Sequence, residues 1–169
     1  MKKIIVVIAL AFLSISSTFA QAPLSKGEKQ LNAGVGLSGW GIPIYAGMDF
    51  GVFKDITVGF EGSFRYYHES WAGTDYTSKI FGFYGNGNYH FNSLLKIPSN
   101  FDVYAGLNLG FYIWSSPAHY PGSGTSGLGL DAHVGGRYFF KDNFGINLEL
   151  SADPFGNLGG GKFGITYIF

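Results

Sequence analysis

The chain has 169 residues, no cysteine and a formal net charge of zero, which excludes disulfides, thiolate metal centres and a basic nucleic-acid surface. Only 13% of the residues are charged, against about 25% in a soluble domain, while 18% are aromatic and 27 are glycine. A surface of that make-up is expected to face something other than water.

In chain order, Lys2 and Lys3 precede an apolar run over residues 4–13, and small polar residues then lead to Thr18-Phe19-Ala20. This pattern predicts a signal peptide over residues 1–20, cleaved after Ala20. The alternative, a spanning helix, needs about 20 apolar residues, more than this run supplies. Residues 21–27 are expected to be a short N-terminal segment, with a barrel domain over 28–169. After residue 20 no apolar stretch is long enough for a membrane helix, so a membrane-embedded form would have to cross as strands.

Eight runs alternate between an apolar set and a Gly or polar set, as the wall of a transmembrane barrel requires. Residues 30–38 set Leu31, Ala33, Val35 and Leu37 against Asn32, Gly34, Gly36 and Ser38. Residues 44–52 set Ile44, Ala46, Met48 and Phe50 against Tyr45, Gly47, Asp49 and Gly51. In 56–67, Val58, Phe60 and Phe64 oppose Thr57, Glu61 and Arg65. In 78–91, Phe81, Phe83 and Tyr89 oppose Tyr84, Asn86, Asn88 and His90. Residues 101–113 alternate Val103, Leu107 and Leu109 with Asp102, Tyr104 and Asn108. Residues 128–138 alternate Leu130, Ala132 and Val134 with Asp131, His133 and Arg137. The last two runs, 144–151 and 161–169, set Ile146, Leu148, Phe163 and Ile165 against Asn147, Glu149, Lys162 and Thr166.

Across these runs the apolar parity carries one charge, Lys79 at a strand edge. A Lys or Arg on the lipid face of a barrel costs about 2–4 kcal/mol at the bilayer midplane, which accounts for the exclusion. A soluble β-sandwich also alternates, but its polar parity would be rich in Lys and Glu rather than Gly, Asn and Tyr. The expected fold is therefore all-β, a transmembrane eight-stranded antiparallel up-and-down β-barrel. Short turns near 53–55 and 141–143, with a longer one over 92–100, are expected on the periplasmic side. Longer loops, including 68–77 and 115–126, are expected outside, where they are the candidate binders of an extracellular ligand. Aromatic girdles are expected from Phe91, Phe101, Tyr138, Phe140, Phe144, Tyr167 and Phe169 at the inner rim, and from Phe64, Tyr66, Phe81 and Phe111 at the outer rim.

The segment Gly135-Gly136-Arg137-Tyr138-Phe139-Phe140-Lys141-Asp142-Asn143-Phe144-Gly145, followed by Asn147-Leu148-Glu149, resembles the penultimate hairpin of the OmpA/OmpX-type small outer-membrane barrels. The terminal alternation of Phe163, Ile165, Tyr167 and Phe169 is similar to the assembly signal of that class. The resemblance implies residence in the outer membrane, contact with its lipid and lipopolysaccharide, and insertion by the barrel-assembly machinery. It implies little about activity, because the group is defined by fold.

An eight-stranded barrel is only wide enough for its inward side chains to fill. Asp49, Glu61, Arg65, Asp131, His133, Arg137 and Glu149 are expected to form the polar network of the lumen. Registry about the turn at Asp142 puts Arg137 opposite Asn147 and diagonal to Glu149, with Glu61 and Arg65 able to reach the same cluster. Buried charges must be paired, so a salt-bridged plug is the expected role, with a gated path for a small or hydrophobic solute as the alternative. Asp131, His133 and Glu149 make a weak metal set, and His68 with Ser70 or His119 with Ser115 and Ser116 a weak hydrolase pair. No catalytic residue, cofactor, metal or nucleic-acid partner is expected. The reading that follows is a structural or surface-interaction barrel acting through its outer loops, with a narrow pore or a lipid-modifying enzyme as lesser alternatives.

Overall fold

The computed structural model describes residues 22–122, 124–153 and 159–169; the expected signal peptide lies outside them. Eight antiparallel strands close into one barrel in sequence order: β1 (Lys29–Ser38), β2 (Ile44–Phe53), β3 (Ile56–Trp71), β4 (Thr74–His90), β5 (Phe101–Ser115), β6 (Gly127–Lys141), β7 (Phe144–Ala152) and β8 (Gly160–Ile168). Closure is made by β1 against β8, from Gln30 opposite Ile168 to Ser38 opposite Gly160. Every ladder hydrogen bond then finds a partner, the condition for strands in lipid.

The alternation of the sequence becomes the two faces of the wall. Leu107, Leu109, Leu128, Val134, Leu148, Leu150, Phe163 and Ile165 point outward and are exposed. Thr57, Asn88, Asp102, Asn108, Asn147 and Thr166 point inward and are buried. A polar interior within an apolar exterior suits a lipid surrounding. Ring pairs gather at both ends of the outer face. Phe101 packs on Tyr138 at 4.8 Å and Phe140 on Phe144 at 5.1 Å near one end; Phe64 packs on Phe81 at 4.8 Å and on Tyr66 at 4.9 Å near the other.

The end that carries the chain termini is tightly connected. Two-residue turns join β2 to β3 and β6 to β7, each beside a register shift in the ladder. Asp55 takes a left-handed φ of 60°, a conformation that Asp tolerates better than most residues. The β4–β5 connection contains a helical turn, α1 (Asn92–Leu95), where the sequence suggested only a turn. The Asn92 side chain closes it, donating to the Phe101 carbonyl at 2.6 Å and accepting from the Val103 amide at 3.3 Å. Ser93 donates to Asp55 at 2.8 Å and ties this connection to the neighbouring turn. Ala22 and Leu24, from the segment ahead of β1, are buried against Phe139 and Ile168, so an apolar stopper closes the lumen at this end.

At the other end β3 and β4 run further than the sequence suggested. Residues 68–77, expected as a loop, are a paired hairpin up to Trp71 opposite Thr74. Ala72 and Gly73 form its turn with φ of 50° and 82°, the both-positive geometry that matches strand twist in a two-residue hairpin. The expected loop over 115–126 is present between β5 and β6, apart from the outermost paired residues.

Candidate functional site: a sealed lumen beneath an aromatic vestibule

Arg137 organises the lower half of the lumen. Its guanidinium donates from Nη1 to Asp102 at 2.9 Å and from Nη2 to Asp49 at 2.6 Å. With its amide oxygen turned toward the guanidinium, Gln30 accepts from Nε at 2.8 Å. The guanidinium also lies 4.2 Å from the centre of the Tyr104 ring. Arg137 is 4% exposed, Asp49 2% and Asp102 1%. A planar fork that reaches two carboxylates on different strands is an arrangement that Lys cannot reproduce.

Asp102 has a second task. It accepts from His90 Nδ1 at 2.7 Å, which leaves Nε2 to accept from the Thr57 hydroxyl at 3.0 Å. Thr57 in turn accepts from Asn88 at 3.1 Å, whose carbonyl receives His133 Nε2 at 2.7 Å. The Thr57–His90–Asp102 sequence has the connectivity of a hydrolytic triad, but Thr57 and His90 are fully buried. The arrangement satisfies buried polar groups that would otherwise be left without partners.

A second tier is centred on Lys162. Its ammonium lies 2.8 Å from Glu61 and 3.0 Å from Glu149, and Tyr104 donates to Glu149 at 3.1 Å. Tyr45 donates to Asn147 at 2.7 Å, so tyrosines link the two tiers. Higher still, Asn108 donates to Asp131 at 2.7 Å and Arg65 to the Ser38 hydroxyl at 2.7 Å. Between these groups remain voids of only about 20 and 30 Å³, each on the scale of a water molecule rather than a channel.

All seven lumen residues named from sequence point inward, but they do not form one cluster. Arg137 lies opposite Asn147 as expected. Its ionic partners are Asp49 and Asp102 rather than Glu149, and Glu61 and Glu149 meet Lys162 rather than an arginine. Arg65 binds a hydroxyl and stands apart from Arg137. Sequence reasoning passed over Asp102, Lys162 and His90 as members of the network, although all three lie on the inward parity. Asp102 lies directly across from Arg137 and Lys162 directly across from Glu149.

The weaker sequence candidates are engaged elsewhere. Asp131, His133 and Glu149 each have a different neighbour, and the described residues contain no cluster of three or more His, Asp or Glu suited to a metal. His68 bonds Thr77 at 2.9 Å while Ser70 donates to Asp75, so that pair is split. Ser116 shares a hydrogen bond with Ser78 and accepts from Trp114 Nε1, without His119.

Above the ion-paired lumen the outer end opens into a cavity of about 530 Å³. Trp40, Tyr67, Trp71, Tyr112, Trp114 and Tyr120 line it together with Glu69. Trp40 meets Tyr112 and Trp114 edge-on at 5.1 and 5.2 Å, and Tyr67 meets Trp114 at 5.4 Å. Tyr120 donates to Glu69, and that carboxylate pushes the phenol up to about 12. This bond and the packing of Tyr120 on Tyr76 at 5.5 Å dock the β5–β6 loop on the β3–β4 hairpin.

No family model matches the chain, and no curated protein sequence matches it. Solved structures do. The outer membrane protein OprG of Pseudomonas aeruginosa superposes with a TM-score of 0.64 at 10% identity, over 90% of this chain and 99% of that one. The N-terminal β-barrel domain of Pseudomonas aeruginosa OprF gives 0.60 at 12% identity, over 85% and 98%. Ail, the attachment invasion locus protein of Yersinia pestis, gives 0.55 at 17% identity over 85% and 99%, in a complex with the heparin analogue sucrose octasulfate. The chain has the closed eight-stranded barrel fold of the small outer-membrane proteins.

Proposed function

We propose that this protein resides in the outer membrane as a sealed barrel and acts through its outer end, where the vestibule and the β3–β4 hairpin meet the medium. On this reading the chain is exported, cleaved after Ala20, and inserted by the assembly machinery through Phe163, Ile165, Tyr167 and Phe169. Its outward apolar wall contacts lipid and lipopolysaccharide. The observation that carries the reading is the Arg137 network, buried with both carboxylates satisfied and with the apolar stopper of Leu24, Phe139 and Ile168 beneath it.

A pore would need a continuous wet path, and the two voids found among the described lumen residues are each of about the size of a water molecule. A polyanion such as the one bound by Ail would need cations, and the described residues that line the vestibule include no Lys or Arg. Conductance of the refolded barrel in a planar bilayer tests the reading. No unitary steps are expected; regular steps from folded protein would establish the pore instead.

A further inference from the structure

We propose that the vestibule is a binding site for an organic cation, a quaternary or tertiary ammonium group at one end of a small ligand. This rests on the outer end facing the medium, as proposed above, and adds the class of ligand.

Five half-buried aromatic rings surround one space, and the contacts between them are edge-on, at interplanar angles of 61° to 88°. An edge-on contact covers one face of one ring of the pair and leaves the other faces to meet a guest. Ring faces are negative, and an ammonium with methyl groups is attracted to several at once. Two of these five are Trp, the strongest ring for this contact, and the exposed Trp71 lines the space as a third.

Glu69 is the charged residue of the lining, with no Lys or Arg beside it. The described outer-end connections over residues 39–43, 72–73, 116–122 and 124–126 also contain no Lys or Arg. The cation below, Arg65, is buried and turned to Ser38. A cationic guest thus meets a carboxylate and aromatic faces, whereas an anionic guest meets no Lys or Arg among the described lining residues. At about 530 Å³ the space lies in the range of small-ligand pockets and exceeds one methylammonium group, so the ligand has a further part directed to the open side.

The chain has three tryptophans, and Trp40, Trp71 and Trp114 all line this one cavity. Large amphipathic rings are thus concentrated where the lipid wall does not call for them. The same fact makes intrinsic fluorescence a specific probe of the site.

The experiment is a fluorescence titration of the refolded barrel in a polyoxyethylene detergent, with folding checked by gel mobility before heating. The probes are choline, its neutral carbon isostere dimethylbutanol, and a neutral disaccharide. A saturable change is expected with choline, with the isostere binding about tenfold more weakly or worse, as loss of the cation–π attraction requires. Glu69→Gln should weaken choline and leave the isostere unchanged, and Trp114→Leu should weaken choline most. Folded barrel that gives no saturable change with choline, or binds the isostere or the disaccharide equally well, would overturn the cation site and leave the membrane barrel standing. An equal loss of both ligands in Glu69→Gln would also overturn it, because Glu69 would then only shape the loop. Protein that shows no folded band would instead contradict the barrel reading on which the site rests.

Discussion

Arg137 shows how much one side chain can decide. Replacing it with Ala strands Asp49 and Asp102 in a buried setting, and removal of one partner from such a network costs about 3–5 kcal/mol. Urea unfolding of the refolded barrel should show Arg137→Ala destabilised by that order. Arg137→Lys should recover only part of the loss, because an ammonium is a point charge rather than a fork spanning two strands. Full recovery by Lys would contradict the geometry described. The partners of Arg137 also show which contacts a sequence discloses. Asn147 was legible because the turn between β6 and β7 is short and fixes their register. Asp102 was not, since a long loop separates β5 from β6 and leaves their register open. Lys162 escaped for a similar reason, at the start of β8 after another long connection.

At the scale of elements, the glycines divide into two kinds, and parity separates them: Gly110 lies on the inward face of β5 and Gly87 on the outward face of β4. A Cβ on Gly110 would overlap the Phe83 carbonyl of the adjacent strand, whereas a Cβ on Gly87 would meet nothing within 4 Å. Gly110→Val should abolish the folded band on an unheated gel, and Gly87→Val should leave it intact. Strand existence within the wall was legible because lipid on one side and a packed lumen on the other enforce a period of two. Beyond the wall that pressure ends. Residues 68–71 and 74–77 carry no apolar alternation, and Ala72-Gly73 lacks the Asn-Gly or Asp-Gly signature of a tight hairpin, so the sequence read as a loop. The helical turn α1 was hidden similarly, in a segment too short to show a helical period.

For the whole molecule, the sealing of the lumen and the opening of the vestibule belong together. Leu24 plugs the inner end against Phe139 and Ile168, and two tiers of ion pairs fill the middle, while the aromatic cavity opens at the outer end. Leu24→Asp places a carboxylate among apolar side chains and should lower stability by about 1–3 kcal/mol in the same urea assay, unless the segment swings away from the barrel. Loss of the plug without loss of the barrel would appear as easier proteolysis of the N-terminal segment. The outline of such a molecule, eight strands and a polar interior, was legible from alternation and composition. The vestibule was not, because its rings come from four separate stretches, near residues 40, 67, 112–114 and 120, which only the closed barrel brings together.

The central claim, a closed membrane barrel, is tested most directly by the gel mobility of residues 21–169 refolded in detergent, compared before and after boiling. A band that runs at a different position unheated and moves to the unfolded position on boiling is the predicted result. A single position under both conditions, from protein that stays soluble without detergent, would contradict the account.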